Sequence, residues 1–414
     1  MHIPDGYLSP QTCAAATVVM VPVWGTAARK VRETIKRREV PLLALAASYS
    51  FLVMMLNVPI PDGTTAHAVG AVLIAILLGP WAAVIAVSVA LLIQALFFGD
   101  GGVLAFAPNA FNMAFVMPFV GYGVYKLIAH RVPLTSARRV VAAGVGAYVG
   151  INAAALCAAV EFGLQPELFT TADGTPLYAP FHLAQTIPAM ALAHLTVAGG
   201  VEAALTAGVV AYLQRNNLPV LRINRGALPP RERGVGGGGE PALAEPGSGA
   251  GSGGGGGEME PALAEPGSGV GAGMDPAPAE AELVGAGARS RSPWKWAMAG
   301  IVGLALITPL GLLASGGAFG EDAPGDLNLG RYGLNTVPSG LERYNGFWSH
   351  TLLGGYGFGS GQNATLGYLL SAAVGIVVIS LAVLVVWLAV RVVGGSRSDR
   401  VSGSEQPAPV GGRA

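Results

Sequence analysis

Met1-His2-Ile3-Pro4-Asp5-Gly6 opens the sequence, and this polar hexapeptide runs directly into an apolar segment. It lacks the basic start of a signal peptide, and the bulky His2 disfavours removal of Met1. We therefore expect Met1 to be retained. A free α-amine, the His2 amide nitrogen and the His2 imidazole could then chelate one divalent metal through fused rings. A second imidazole would complete a four-nitrogen plane, which suits Ni(II) or Cu(II) and is accessible to Co(II). From these residues alone, an ordinary disordered terminus is the favoured interpretation.

The composition is that of an integral membrane protein. Of the 414 residues 52% are hydrophobic and only 12% are charged, with a mean hydropathy of +0.54, whereas soluble domains carry about 25% charged residues. Cys13 and Cys157 lie far apart within apolar segments, so we interpret both as small buried residues rather than as a disulfide or redox pair. Nothing in the composition indicates nucleic-acid binding.

Apolar runs predict nine membrane helices, of which the third, from His67 to the turn at Gly79, is the shortest. The other eight are predicted at residues 9–28, 41–57, 81–98, 108–129, 140–160, 183–213, 296–315 and 366–390. Between the seventh and eighth the composition changes to Gly, Pro, Ala, Ser and Glu, and EPALAEPGSG occurs at 240–249 and again at 260–269. Such a segment buries too little apolar surface to offset its conformational entropy, which predicts a flexible linker.

We therefore expect an all-α membrane protein made of a seven-helix bundle and a two-helix C-terminal module. The division is predicted at 1–215 for the first membrane domain and 216–292 for the cytoplasmic linker. The second module takes 293–392, with an extracytoplasmic loop between its helices, and a disordered cytoplasmic tail takes 393–414.

The charges of the loops orient this bundle. Under the nine-helix map all but Arg331 and Arg343 of the 24 Lys and Arg residues fall on one side, which the positive-inside rule assigns to the cytoplasm. The amino terminus is thus predicted outside and the carboxyl terminus inside. The loop after the second helix is then also outside, so Met1, His2 and His67 share one compartment and could form one site.

Three motifs resemble the CbiM/NikM family, the substrate-binding components of energy-coupling-factor (ECF) transporters for cobalt and nickel. They are MHIPDGYLSP at 1–10, PIPDGTTAHAVG at 59–70 and QALFFGDGGVLAFAPNAFNMA at 94–114, and their order fits over about the first 215 residues. Pro108 departs from a family segment that often reads GANAFN, but both asparagines are kept. The resemblance implies that the Met1 amine, the His2 amide and imidazole, and His67 hold the metal.

The C-terminal module resembles the small two-helix companion subunit of these transporters, in its fused form with a PDGLE motif. Here the motif reads Pro338-Ser339-Gly340-Leu341-Glu342. Ser339 stands in place of the family's Asp, which puts any role of that carboxylate in doubt.

Other polar residues have weaker assignments. Asp5 and Asp62 could orient an imidazole or the amine, but Pro-Asp-Gly is also a turn signature, which is favoured. Amide side chains near the fourth and fifth helices are expected to hold the terminal hexapeptide rather than to bind metal; these are Gln94, Asn109 and Asn112. Glu202 is a carboxylate within the seventh helix, with a role in ion coupling or in packing, and His194 is a candidate partner for it.

The sequence thus predicts a non-enzymatic, multi-pass component in the cell membrane of a prokaryote that imports Ni²⁺ or Co²⁺ as substrate, with no permanent cofactor. No Walker motif is present, so the resemblance implies a separate ABC ATPase and a transmembrane T component as partners. An intramembrane metal-dependent enzyme is a rival, but HExxH-type spacing is absent. A metal-ion channel is a second rival, disfavoured because the helices are mostly Ala, Val and Leu.

Overall fold

The computed structural model describes residues 1–35, 39–60, 64–221, 223–224, 293–313, 319–357 and 363–402. The helices of the first 224 residues are α1 Pro10–Thr34, α2 Val40–Met54, α3 Ala71–Leu78, α4 Pro80–Phe98, α5 Phe106–Ile128, α6 Ala137–Gly163, α7 Gln165–Leu168, α8 Leu183–Asn216 and α9 Leu218–Leu221. Two short antiparallel strands, β1 Val58–Pro59 and β2 Thr65–Ala66, pair between α2 and α3. The later helices are α10 Pro293–Ile307, α11 Ser339–Tyr344 and α12 Ala364–Ser402.

This architecture confirms an all-α membrane fold. Within the described ranges, six helices are long and apolar enough to cross a bilayer: α1, α4, α5, α6 with its extension to Leu168, α8, and α12 as far as Ala389. Val40–Met54 and Ala297–Leu312 are shorter apolar helices. Each predicted segment thus corresponds to a helix.

Helix α1 shows how local chemistry sets a helix start. The Ser9 hydroxyl accepts the Thr12 N–H at 3.0 Å, and Pro10 occupies the first helical position, where its missing N–H is not needed. The helix was expected to end near Ala28 but continues to Thr34. The basic run that follows Ala28 contains Lys and Arg, which are good helix formers, so it extends the helix instead of ending it.

The third segment differs most from expectation, because helix α3 begins at Ala71 and not at His67. Gly70 has φ +74° and Gly79 has φ +96°, and these left-handed conformations bound the helix on both sides. Eight residues span only about 12 Å. Residues 64–70 are buried as well, so the chain enters the bundle in extended form, which is tolerated at membrane depth only where protein surrounds it.

The helices pack against one another around this buried loop. Helix α6 lies along α5 and α8, and α3 packs against α4 and α5. The two long helices of the C-terminal module, α10 and α12, pack on α2, and α12 also contacts α4. Residues of both modules share one continuous apolar core, including Phe51, Phe98 and Tyr356.

Two predictions fall where they cannot be compared with the structure. Asp62 lies outside the described residues. The linker expected at 216–292 falls almost wholly on residues outside the described ranges, so the proposed domain limits stay predictions. Cys13 and Cys157 are both free cysteines, as expected.

Candidate metal centre

The amino-terminal hexapeptide is not a loose end. Met1, His2 and Ile3 are 1%, 3% and 0% exposed. The Ile3 peptide is held on both sides by the Asn109 amide, whose Oδ1 accepts the Ile3 N–H at 2.9 Å while its Nδ2 donates to the Ile3 carbonyl at 3.0 Å. The Gly102 N–H donates to the same carbonyl at 2.9 Å. This segment is therefore fixed in the bundle by backbone pairing, the role expected of Asn109.

Asp5 fixes the other end of the hexapeptide. Its carboxylate accepts the N–H groups of Val103, Leu104 and Ala105 at 3.1, 2.8 and 3.2 Å, immediately before helix α5. A carboxylate suits this position because the first N–H groups of a helix lack partners within the helix. Gly6 follows with φ +91°, so Pro-Asp-Gly is the expected turn and Asp5 also joins it to the loop at 103–105.

His67 lies in an extended loop that the rest of the first domain holds tightly. The Glu202 carboxylate accepts the Val69 N–H at 2.8 Å and the Gly70 N–H at 2.9 Å. The Ser50 hydroxyl donates to the Val69 carbonyl at 2.7 Å. Glu202, which the sequence left between coupling and packing, thus supplies the hydrogen bonds that a non-helical backbone needs in an apolar interior.

The two parts of the chain meet at their histidines. The His2 and His67 rings stack with centroids 4.8 Å apart and an interplanar angle of 16°. The Met1 nitrogen lies 3.4 Å from both the carbonyl oxygen and the hydroxyl of Thr65, two residues before His67. Residues that are 64 positions or more apart in sequence are thus brought into one buried cluster.

The ring nitrogens in this cluster are available for a ligand. His67 Nδ1 lies 3.2 Å from the Ala68 carbonyl, and because a carbonyl can only accept, Nδ1 carries the proton and Nε2 keeps its lone pair. Within the described residues, that Nε2 and both ring nitrogens of His2 are buried without a hydrogen-bond partner. Buried polar atoms are normally satisfied. Each neutral ring keeps one nitrogen with a free lone pair, so the two histidines together offer two nitrogen donors to a ligand.

Electrostatics keep these imidazoles neutral. Burial lowers the pKa of the His67 imidazole well below its ordinary value, and the nearby amine and His2 add to this effect. Burial also lowers the pKa of His2, although Asp100 opposes the shift. A neutral imidazole is the form that binds metals, so no imidazole proton needs to be displaced.

Two carboxylates that the sequence did not single out lie close to this cluster. Asp100 Oδ1 is 3.1 Å from His2 Nδ1, although without hydrogen-bond geometry, and Glu321 Oε1 is 3.1 Å from the Met1 nitrogen. Burial alone raises the pKa of the Glu321 carboxyl, but the amine, the Thr65 hydroxyl and His2 together hold it below its usual range. Asp100 was visible only as part of a glycine-rich loop, and no sequence signal marked Glu321.

Three further polar residues lie in π-helical turns that interrupt membrane helices. Gln94, Asn112 and His194 belong to the π turns Gln94–Phe98, Phe111–Val116 and His194–Ala198. Such turns often mark functional sites.

These three residues have different partners. Gln94 Nε2 donates to the Tyr356 hydroxyl at 2.9 Å and to Asp100 at 3.2 Å. Asn112 donates to Glu161 at 2.7 Å and makes no described bond to the hexapeptide. The predicted pairing of His194 with Glu202 is not seen, because His194 Nδ1 faces the Met190 carbonyl at 2.9 Å.

The loop of the C-terminal module contacts the residues around the cluster of Met1, His2 and His67. The Tyr7 hydroxyl donates to the Asp322 carbonyl at 2.7 Å, and the indole of Trp348 donates to the Leu96 carbonyl at 2.8 Å. The N–H groups of Gly340 and Leu341 both donate to the Leu177 carbonyl. The second module therefore forms part of the surroundings of Met1 and His2.

Side chains alone do not form a metal site here. In the part of the chain that the structure describes, no group of three or more His, Cys, Asp and Glu residues is arranged to hold a metal ion. A metal at this cluster would need nitrogen atoms of the amino terminus and the backbone in addition to the two imidazoles. This requirement also argues against a metalloenzyme site built from side chains on the helices.

Comparison with known proteins shows which family the chain belongs to. A family model described as the cobalt uptake substrate-specific transmembrane region matches residues 2–218. The chain is 43% identical over 391 residues to the fused nickel transport protein NikMN of Rhodobacter capsulatus, which covers 92% of this chain and 95% of that protein. It is 38% identical over 130 residues to the cobalt transport protein CbiM of Moorella thermoacetica, covering 31% of this chain and 50% of that one.

A solved structure gives the same result. A protein described as a transition metal transporter superimposes with a TM-score of 0.50 at 55% sequence identity, covering 54% of this chain and 99% of its own. Since the family model spans more than half of the chain and a full-length relative shares both modules, the chain belongs to the CbiM family and is a multi-pass membrane component of prokaryotic metal transport rather than an enzyme.

Proposed function

We propose that this chain is the substrate-binding membrane component of an ATP-driven importer of the ECF type for divalent nickel or cobalt. Four nitrogens capture the metal: the Met1 α-amine, the His2 backbone nitrogen, the His2 imidazole and the His67 imidazole. The observation that supports the proposal is the meeting of Met1, His2 and His67 in one buried cluster, where His67 Nε2 has no hydrogen-bond partner.

The chemistry follows from the order of these donors. An amine, a deprotonated amide and an imidazole on consecutive residues close two fused chelate rings around one ion, and His67 supplies the fourth position. Four nitrogens in a plane favour Ni(II) over most divalent ions of the cell. Nickel is therefore the favoured substrate, in line with the nickel transport named for the Rhodobacter relative.

We expect the stacked imidazoles to shift when a metal enters. The rings face each other with centroids 4.8 Å apart and planes 16° from parallel, whereas a metal binds in the plane of each ring, through the nitrogen lone pair. His67 is anchored through its loop, so the smaller hexapeptide is the part expected to adjust. The site is buried, so water does not reach it. We therefore expect the metal to be released only when the bundle rearranges.

Energy for that rearrangement would come from other subunits. The chain contains no Walker motif, so ATP hydrolysis requires a separate ATPase and, as in the family it resembles, a transmembrane T component. We expect metal uptake by cells that express this chain to depend on both partners.

The decisive test blocks and then frees the amino terminus. The chain is produced with a removable N-terminal partner whose protease cuts directly before Met1, and Ni²⁺ affinity is measured in detergent before and after cleavage. We expect no high-affinity binding before cleavage and full binding after it, because the amine is a ligand. A single added residue is not a suitable block, since an amine, two amides and a histidine at position three form a four-nitrogen chelate of their own.

A matched control uses the cleaved protein with His67→Ala. The loss of one of four donors should weaken Ni²⁺ binding more than about 100-fold, beyond the range typical for residues outside the ligand set. Equal affinity before and after cleavage would overturn the proposal.

A further inference from the structure

The Met1 amine is held from the second membrane module. Glu321 Oε1 lies 3.1 Å from the Met1 nitrogen, across 320 residues of sequence. The same oxygen accepts the Thr64 hydroxyl at 3.0 Å and also the Thr65 hydroxyl. The Met1 side chain is 0% exposed and that of Glu321 is 18% exposed. One carboxylate thus joins the amine to the strand that leads to His67.

The segment around Glu321 is itself fixed. The Tyr7 hydroxyl bonds the carbonyl of the next residue, Asp322, at 2.7 Å. Phe319 packs on Phe181 with ring centroids 4.3 Å apart. A Cβ added at Gly320 would lie 3.0 Å from the Phe162 ring, so the backbone runs close to the bundle there. The position of the carboxylate is therefore set by packing rather than by the amine alone.

This arrangement matches the needs of an amine that binds a metal. A primary amine coordinates through its lone pair and keeps two N–H groups, which need acceptors in a buried site. The nitrogen has three acceptors in the structure: Glu321 at 3.1 Å, and the carbonyl and hydroxyl of Thr65 at 3.4 Å each. Glu321 is the nearest and is charged, so we expect it to keep its N–H group when the lone pair turns to the metal. The negative charge of Glu321 also offsets part of the charge of a buried dication.

We propose that Glu321 is a positioning residue for metal capture, which orients the Met1 amine from the second module and so couples a ligand of the first domain to the docking of the C-terminal loop. The inference rests on the proposed function, since it takes the amine to be a ligand. It assigns the C-terminal loop a direct part in the site, through a carboxylate outside the Pro338–Glu342 motif.

The test compares Glu321→Gln with Glu321→Asp and with a neighbouring control, Asp322→Asn, in the full-length chain with a free amino terminus. Ni²⁺ affinity is measured by competition with a coloured chelator, together with the visible absorption of the bound nickel, which reports its nitrogen donors. We expect Glu321→Gln to lower affinity about 10- to 100-fold, as for other residues that orient ligands, and to shift the absorption band. Glu321→Asp should restore part of both, and Asp322→Asn should change neither.

Tyr7→Phe separates positioning from docking. It removes the hydroxyl that holds the Asp322 carbonyl but leaves the carboxylate, so it should lower affinity less and leave the nickel spectrum unchanged. The inference is overturned if Glu321→Gln binds nickel like the unaltered chain, or if Tyr7→Phe reproduces both its affinity and its spectrum. The amino-terminal block distinguishes the two hypotheses: if the block abolishes binding while Glu321→Gln has no effect, only the role of Glu321 fails.

Discussion

The two halves of the candidate metal centre are built in different ways. His67 sits on a loop held wholly by the first domain, through Glu202 and Ser50. The Met1–His2 half is held by Asn109 at Ile3, but its amine contacts Glu321 of the second module. One half is thus preorganised inside the bundle, and the other depends on how two modules meet.

This difference suggests a division of labour between the two histidines. A rigid ligand lowers the entropy lost on metal binding, whereas a ligand on a short terminal segment can open to admit the ion. The contact of Glu321 with the terminal half would then let the second module affect metal capture. The following changes test the two halves separately.

A large effect, though smaller than that of removing a ligand, is expected from loosening the rigid half. Glu202→Gln leaves one acceptor oxygen and turns an NH₂ group toward the N–H groups of Val69 and Gly70, so the His67 loop loses its anchor. We expect Ni²⁺ affinity to fall about 10- to 100-fold, the range for residues that orient ligands. Affinity of purified protein measures this effect.

Glu161→Gln is the control, because Glu161 is a partly buried carboxylate of a membrane helix, bonded to Asn112 and not to the His67 loop. It should retain affinity within a few-fold. Equal losses in the two variants would show that a buried carboxylate stabilises the bundle in general rather than His67 in particular.

Acidification is expected to act on the terminal half alone. The amine and the His2 amide must each release a proton to bind metal, so affinity should fall by about tenfold per pH unit for each proton displaced. His67 contributes nothing in this range, because burial already lowers its pKa well below the ordinary value and it stays neutral. Nickel titrations between mildly acidic and mildly basic pH measure the slope.

The His67→Ala variant sharpens this prediction. It should bind more weakly at every pH but show the same slope, since the protons come from the other half. An affinity that does not vary with pH in the unaltered chain would exclude the amide as a ligand.

The smallest effect is expected at Ser339, where the PDGLE-like motif lacks its acidic residue. Ser339 is exposed at the start of helix α11, away from the amine. Ser339→Asp should therefore leave Ni²⁺ affinity within about twofold, as surface substitutions usually do. Isothermal titration of the variant provides the measurement.

Gly340→Ala gives the contrast at the next residue. A Cβ there would lie 2.5 Å from the Leu177 carbonyl, so docking of the loop should weaken and affinity should drop with it. A large gain from Ser339→Asp would instead mean that the missing carboxylate belongs to the site.

The sequence was informative about the first half of the site and about the class of fold. Apolar runs predicted each membrane helix, and the distribution of Arg and Lys placed Met1, His2 and His67 in one compartment. The structure then shows these residues in contact. The sequence-based prediction was wrong at the start of α3. An extended stretch such as residues 67–70 can have the composition of a helix and differ from it only in its hydrogen bonds.

The roles of the helper residues were less accessible. Asn109 was expected to hold the hexapeptide and does so, but Asn112, three residues later, bonds Glu161 instead. Both asparagines belong to the same motif, and only their positions around the helix decide which one faces the amino terminus. The π turns at Gln94, Asn112 and His194 shift these faces further, and no composition rule predicts them.

The sequence by itself determined which segments form apolar helices, because that depends on neighbouring residues. It also predicts which side the loops face and that the first two residues chelate a metal. Only the tertiary structure decided which distant groups meet them. Glu202 reaches the His67 loop and Glu321 reaches the amine because helices and modules pack in one particular way. Such partners are chosen by the shape of the whole fold, whereas apolar runs and terminal chelates are set by local chemistry.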